Sequence, residues 1–112
     1  MDNIKNDVYY VKKMLKDIGF IIEKTEGIDV DKLKENEVLC DSVLFRLIQI
    51  SENSVKLSAV FRETHDDIPW QAIKGMRNKI VHDYGDVNFD IIYQTISDDI
   101  PEIFEKLKSI LM

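Results

Sequence analysis

The sequence contains very little cysteine, proline and glycine: of its 112 residues, one is cysteine, two are proline and four are glycine. The single cysteine, Cys40, excludes a disulfide within the chain and is typical of proteins from a reducing compartment. With so few helix-breaking residues, long stretches of the chain are free to form helices. We therefore expect an ordered, disulfide-free chain and a cytoplasmic location.

Long hydrophobic runs and an excess of basic residues are also missing. No apolar run approaches the roughly 20 residues that a membrane-spanning helix needs, and the first residues, MDNIKNDVYY, show no signal-peptide pattern. The formal net charge is -6 at pH 7, whereas nucleic-acid-binding proteins usually carry a basic surface. We expect a soluble protein without a membrane partner, in which any RNA contact uses a local cationic pocket or a surface shared between subunits.

The residues that are present favour a folded helical chain. Hydrophobic residues make up 45% of the sequence and charged residues 32%, a balance typical of globular proteins. The length predicts a single domain over residues 1–112. A first amphipathic helix is predicted over residues 3–26, ended by Gly27. Its apolar residues alternate at spacings of three and four: Ile4, Val8, Val11, Leu15, Ile18 and Ile22.

A second helix is predicted over residues 31 to about 62, which would be unusually long. No glycine or proline interrupts its apolar stripe, which consists of Val43, Leu47, Ile50, Leu57 and Phe61. Three small serines, Ser51, Ser54 and Ser58, replace large residues in its second half. They indicate either the close approach of a neighbouring backbone or a bend near Asn53.

The second half of the chain predicts two further helical segments. A third helix is expected over residues 69–84, with Pro69 in its first turn and Gly85 at its end. Asn88 is a candidate N-cap for the last segment, whose apolar spacing continues through Pro101 as two helices or one kinked helix. Since no alternating strand pattern competes, the predicted fold is all-α, an up-and-down bundle of four main helices.

The third helix places a charged residue where its apolar pattern predicts a hydrophobic one. At about 100° per residue, Arg77 is predicted to lie within an apolar face that also includes Trp70, Ile73, Ile80, Val81 and Tyr84. Burying a guanidinium is unfavourable unless an anion or several acceptors meet it. One turn apart on the edge of this face lie Asn78 and His82, so that Asn78 could orient an imidazole suited to proton transfer near neutral pH.

Each of these residues also has a purely structural interpretation. Arg77 could lie at the edge of the stripe with its stem packed and its guanidinium in water, His82 could be a cation at the helix C-terminus, and Tyr84 could be a core aromatic residue. The competing chemistries have weaker support. The contiguous His65, Asp66 and Asp67 do not have the spacing of a helical metal site, and no glycine-rich phosphate loop is present.

The wider context of these residues resembles a known family. Pro69 and Trp70, then Arg77 with Asn78, His82, Tyr84 and a closing amphipathic segment resemble the HepT-like toxins of the HEPN superfamily. Their signature, R-x4-6-H-x-Y, is matched by Arg77, His82 and Tyr84. The resemblance covers nearly the whole chain and implies a HEPN-like helical bundle.

The resemblance also implies a function. It implies the toxin of a type VII-like toxin–antitoxin system, a metal-independent endoribonuclease that needs no cofactor and acts as a homodimer on RNA. Arg77 and His82 would be its catalytic residues, supported by Asn78. A minimal nucleotidyltransferase antitoxin would neutralise it by transferring AMP from ATP to Tyr84. The alternative is a non-catalytic helical module that binds a nucleotidyltransferase partner through the same residues.

Overall fold

The computed structural model describes residues 6–82 and 86–112. Within these ranges the chain forms seven α-helices and one π-helical turn, and no strand. The predicted all-α fold is therefore confirmed. None of the described helices is both long and apolar enough to cross a membrane.

Helix α1 extends over Asp7–Thr25, in agreement with the predicted first helix. The side chain of Asn6 caps it by accepting a hydrogen bond from the Tyr9 N–H at 3.0 Å. Gly27 follows the helix with a φ of 74°, a conformation that glycine adopts without strain. The predicted end of α1 is thus confirmed, whereas the predicted start at residue 3 lies outside the described residues.

The prediction of one long second helix is wrong, because the segment is divided into three helices. Asn36 separates the first two, and its side chain accepts a hydrogen bond from the Leu39 N–H; Ser58 caps the third in the same way through the Phe61 N–H. Such side chains satisfy free backbone donors and so allow a helix to restart without glycine or proline. The three helices are α2 (Val30–Glu35), α3 (Glu37–Ser54) and α4 (Ala59–Thr64).

Helix α5 extends over Trp70–His82 and carries the residues of interest. It begins at Trp70, directly after Pro69 and one residue later than the predicted start. The predicted continuation to residue 84 and the stop at Gly85 lie outside the described residues.

The last segment forms two helices and not one kinked helix, which was one of the two predicted alternatives. Helix α6 (Phe89–Gln94) is capped by Asn88, whose side chain accepts hydrogen bonds from two backbone N–H groups. A π-helical turn, Thr95–Asp99, connects it to α7 (Ile100–Ile110). In this turn the Ile100 N–H donates to the Thr95 carbonyl. The wider turn precedes Pro101, which lacks an N–H and occupies the first turn of α7.

The core lies where α1 packs against α3 and α7, and where α3 packs against α5. Burial of apolar side chains along these contacts is the main driving force for folding. Among the most deeply buried residues are Val11, Met14, Ile18, Ile21, Leu47, Ile50, Ile73, Ile100 and Leu107. The main helices α1, α3, α5 and α6–α7 thus form the expected bundle.

Candidate functional site

Arg77 lies at the surface of α5, with 45% of its side chain exposed. The prediction that it is buried within the apolar stripe is therefore wrong, and the alternative position at the edge of the stripe is the one observed. Ile73 and Ile80 form the buried line of α5. The Arg77 Nε–H donates a hydrogen bond to the Glu52 carboxylate of α3, whose Oε2 lies 2.9 Å from the Nε.

The backbone around Arg77 is held by a buried serine of α3. Ser51 is 2% exposed, and its hydroxyl donates a hydrogen bond to the Lys74 carbonyl at 2.9 Å. The same oxygen accepts from the Arg77 N–H at 3.4 Å. The small side chain lets α5 approach α3 closely, which confirms the prediction made from the serines.

Asn78 and His82 are exposed on the outer side of α5. The Oδ1 of Asn78 accepts a hydrogen bond from the Nη1 of Arg77 at 3.5 Å. In the part of the chain that the structure describes, Asn78 therefore contacts the guanidinium and makes no hydrogen bond to His82. Its expected role in orienting the imidazole stays a prediction.

Helix geometry separates the two predicted catalytic side chains. Arg77 and His82 are five residues apart, which corresponds to about 140° around the axis and about 7.5 Å along it. Between them lies Val81, which is 48% exposed. We call the surface formed by Arg77, Asn78, Val81 and His82 the motif face.

An exposed aromatic residue on α3 extends this surface. Phe45 is 57% exposed and lies seven residues, about two turns, before Glu52 on α3. It therefore shares a face of α3 with the carboxylate that binds Arg77. Phe45 and Val81 are thus two large apolar side chains that this chain leaves largely in water.

Tyr84 and Gly85, the remaining residues of the predicted motif region, lie outside the described residues. The expected modification of Tyr84 is therefore a prediction from the sequence alone.

The segment with His65, Asp66 and Asp67 connects two helices. The His65 ring packs 4.6 Å from the ring of Phe61, and its carbonyl accepts a hydrogen bond from the Trp70 indole at 3.0 Å. Within residues 6–82 and 86–112, no three histidine, cysteine or acidic side chains form a group that could hold a metal ion. Trp70 follows this connection and is the first residue of α5.

Cys40 is a poor candidate for a nucleophile. Burial, followed by the charge of the neighbouring Asp41, raises the pKa of its thiol. The thiol is therefore protonated near neutral pH, and the thiolate is the reactive form.

Two residues near Arg77 were not predicted as parts of the site. The sequence distinguishes Ser51 only by its small size, and Glu52 lies 25 residues before Arg77 in the chain. No periodic pattern connects residues at such a separation. Their contribution depends on how α3 packs against α5.

Together, the fold and the site define a small helical protein with an arginine, an asparagine and a histidine on the outer face of one helix. Comparison with protein families identifies it further: the model of the family "Ribonuclease HepT-like" matches residues 14–110. The chain belongs to this family, as the resemblance in its motif predicted.

Individual relatives cover nearly the same length. The protein named "Putative RNase TTE0752" of Caldanaerobacter subterraneus subsp. tengcongensis is 37% identical over 102 residues, which is 91% of each chain. The protein named "Probable ribonuclease HepT" of Thermococcus cleftensis is 33% identical over 105 residues, covering 87% of this chain and 94% of the relative. No solved structure gives a significant match.

Proposed function

We propose that this protein is a metal-independent endoribonuclease and the toxin of a toxin–antitoxin pair. The observation that carries the proposal is the exposed motif face of α5 in a chain that belongs to the HepT-like ribonuclease family. The relatives named as RNases support the same activity. In this proposal Arg77 and His82 are the catalytic residues.

Arg77 and His82 have the chemistry that RNA cleavage requires. A 2′-hydroxyl loses a proton as it attacks the phosphorus, and the leaving 5′-oxygen gains one, so an imidazole serves as acid or base. Negative charge develops on the non-bridging phosphate oxygens, and a guanidinium binds such oxygens through paired N–H donors. Because these two groups can supply both proton transfer and charge stabilisation, the proposed reaction needs no metal ion.

The geometry of α5 favours a homodimer as the active form. Arg77 and His82 are separated by about 140° around one helix, so one copy does not place both residues on the same line of α5. A second copy packed on the motif face would place the Arg77 of one protomer near the His82 of the other. The exposed Val81 and Phe45 provide apolar area for this contact, and pairing two chains also gathers cations on an acidic protein.

Regulation by a minimal nucleotidyltransferase is the second part of the proposal. In the proposed reaction the Tyr84 oxygen attacks the α-phosphorus of ATP, pyrophosphate leaves, and the phenolic proton passes to solvent. The attached AMP adds bulk and negative charge two residues after His82. It would therefore exclude the RNA backbone from the space between the motif faces of the two proposed protomers.

A comparison of two histidine variants tests the activity. The chain contains two histidines, so His65→Asn is a matched control for His82→Ala. In excess EDTA we expect purified wild-type protein and His65→Asn to cleave cellular RNA, and His82→Ala to be slower by roughly 100-fold or more. If wild-type protein does not cleave, or if the His82 variant cleaves equally well, the non-catalytic module becomes the better interpretation of the motif face.

Tyr84→Phe tests the modification separately from cleavage. Because the variant lacks the accepting oxygen, we expect it to cleave RNA normally but to take up no label from ATP in the presence of the cognate nucleotidyltransferase. Tyr9→Phe, which changes a tyrosine of α1, is the control and should be labelled like wild type. Sustained labelling of Tyr84→Phe would remove Tyr84 as the acceptor.

A further inference from the structure

Glu52 contacts Arg77 in a way that leaves part of the guanidinium available. The Glu52 Oε2 binds Nε at 2.9 Å, and Asn78 Oδ1 lies 3.5 Å from Nη1. The guanidinium has further N–H donors on its two terminal nitrogens. Since the Arg77 side chain is 45% exposed, these donors are accessible to an anion from solvent.

Helix α3 holds both the backbone and the side chain at this position. Ser51 binds the backbone of α5 at Lys74 and Arg77, and the next residue, Glu52, binds the Arg77 side chain. The buried serine binds the backbone of α5, and the carboxylate of the next residue binds the guanidinium. Two adjacent residues of α3 thus contact both the backbone and the guanidinium of Arg77.

The ion pair has little value for stability or for anion binding. Both partners are close to half exposed, at 45% and 44%, and exposed ion pairs contribute little to the free energy of unfolding. A carboxylate beside the guanidinium also repels an approaching phosphate. The arrangement is therefore unfavourable for a site that only binds RNA, but favourable for one in which the direction of the N–H donors determines the rate.

We propose that Glu52 is a positioning residue that orients the Arg77 guanidinium toward the scissile phosphate; this inference rests on the proposed ribonuclease function. It acts through Arg77 and does not touch the RNA. Removing its charge should disorder the arginine while making the surface less repulsive to phosphate. The two effects predict a lower kcat together with an unchanged or lower KM.

The kinetic test uses Glu52→Gln, Glu52→Asp and Arg77→Ala with a defined RNA substrate. We expect Glu52→Gln to lower kcat about tenfold without raising KM, and Glu52→Asp to recover part of the loss. In the Arg77→Ala background Glu52→Gln should have no further effect, because the residue acts only through Arg77. Glu105→Gln, which breaks an exposed pair with Lys108 at 3.3 Å on α7, is the control and should behave as wild type.

Some kinetic outcomes would overturn the positioning role alone. An unchanged or increased kcat in Glu52→Gln, or an equal loss in the presence and absence of Arg77, would contradict it while the ribonuclease function stands. If wild-type protein does not cleave RNA, or if Arg77→Ala cleaves normally, the proposed function itself is wrong.

A measurement without RNA tests the positioning role of Glu52 independently of the proposed ribonuclease function. In the wild-type protein we expect the Arg77 Nε–H to give a resolved, slowly exchanging NMR signal, because it is hydrogen-bonded to Glu52. This signal should broaden or exchange rapidly in Glu52→Gln but persist in Glu105→Gln. An identical signal in wild type and Glu52→Gln would overturn the positioning role whatever the activity.

Discussion

Helix α3 supplies one partner to each of two arginine–carboxylate ion pairs. Their N–O distances are nearly equal, but their exposure to solvent differs. Arg46 lies 2.8 Å from Asp17 of α1, with side chains 26% and 11% exposed; Arg77 of α5 lies 2.9 Å from Glu52, with side chains 45% and 44% exposed. The Arg46 guanidinium also lies 4.1 Å from the centre of the Phe20 ring. Equal distances therefore do not mean equal roles, because burial determines the consequence of losing a partner.

The α1–α3 pair belongs to the part of the molecule that holds the bundle together. Asp17 is only 8% exposed as a residue, so its carboxylate depends on Arg46 for compensation. The α3–α5 pair belongs to a surface from which solvent and an anion can reach the guanidinium. We therefore expect the first pair to contribute to the free energy of unfolding and the second to contribute to the proposed RNA cleavage.

The largest expected effect is the loss of cleavage in Arg77→Ala. Removing the guanidinium removes the proposed stabilisation of phosphate charge, so we expect the cleavage rate to fall roughly 100-fold or more. The thermal unfolding midpoint should change little, because the side chain is exposed. Lys108→Ala, which removes one exposed cation of α7, controls for net charge and should cleave normally; an Arg77→Ala protein that fails to fold would make Arg77 a structural residue.

Arg46→Ala should show the opposite pattern. It leaves the Asp17 carboxylate without its partner and removes the contact with Phe20, so we expect a loss of about 2–3 kcal/mol in the free energy of unfolding, measured with urea. Glu52→Gln breaks a pair of similar length and should change this free energy by less than about 0.5 kcal/mol. Equal losses in the two variants would contradict the distinction drawn between the pairs.

The smallest expected effect on cleavage is that of Ser51→Ala, which tests the contact between α3 and α5. The variant loses a buried hydrogen bond to α5, so we expect a loss of about 1 kcal/mol in stability and a modest decrease in cleavage, because Arg77 loses its backbone support. Ser54→Ala is the matched control, since the Ser54 hydroxyl bonds within α3, to the Ser51 carbonyl. It should affect urea unfolding but not cleavage, and equal cleavage losses in both variants would argue against a specific contribution of Ser51.

Local signals in the sequence were enough to predict several elements. Gly27 follows the end of α1, Asn88 caps α6, and the segment through Pro101 forms two helices, which was one of the two predicted alternatives. Each of these features depends on the conformational preferences of a residue and its immediate neighbours. The breaks at Asn36 and Ser58 were missed because a capping residue and a helix-interior residue of the same type look alike in a sequence.

The candidate site was predictable in its residues but not in its environment. The motif directed attention to Arg77, Asn78 and His82, while periodicity placed Arg77 in the buried stripe. Its side chain is instead 45% exposed beside Glu52 of α3, which lies 25 positions away in the chain. Burial depends on the packing of separate helices, which a local pattern does not contain.

The sequence by itself determined that the chain is helical, where most of its helices lie and which residues could carry chemistry, because helical periodicity, capping and side-chain chemistry are local properties. Only the tertiary structure decided that Arg46 meets Asp17 in a partly buried position and that Arg77 meets Glu52 at the surface. These contacts join residues 29 and 25 positions apart. They exist because the packing of α1, α3 and α5 brings these distant residues together.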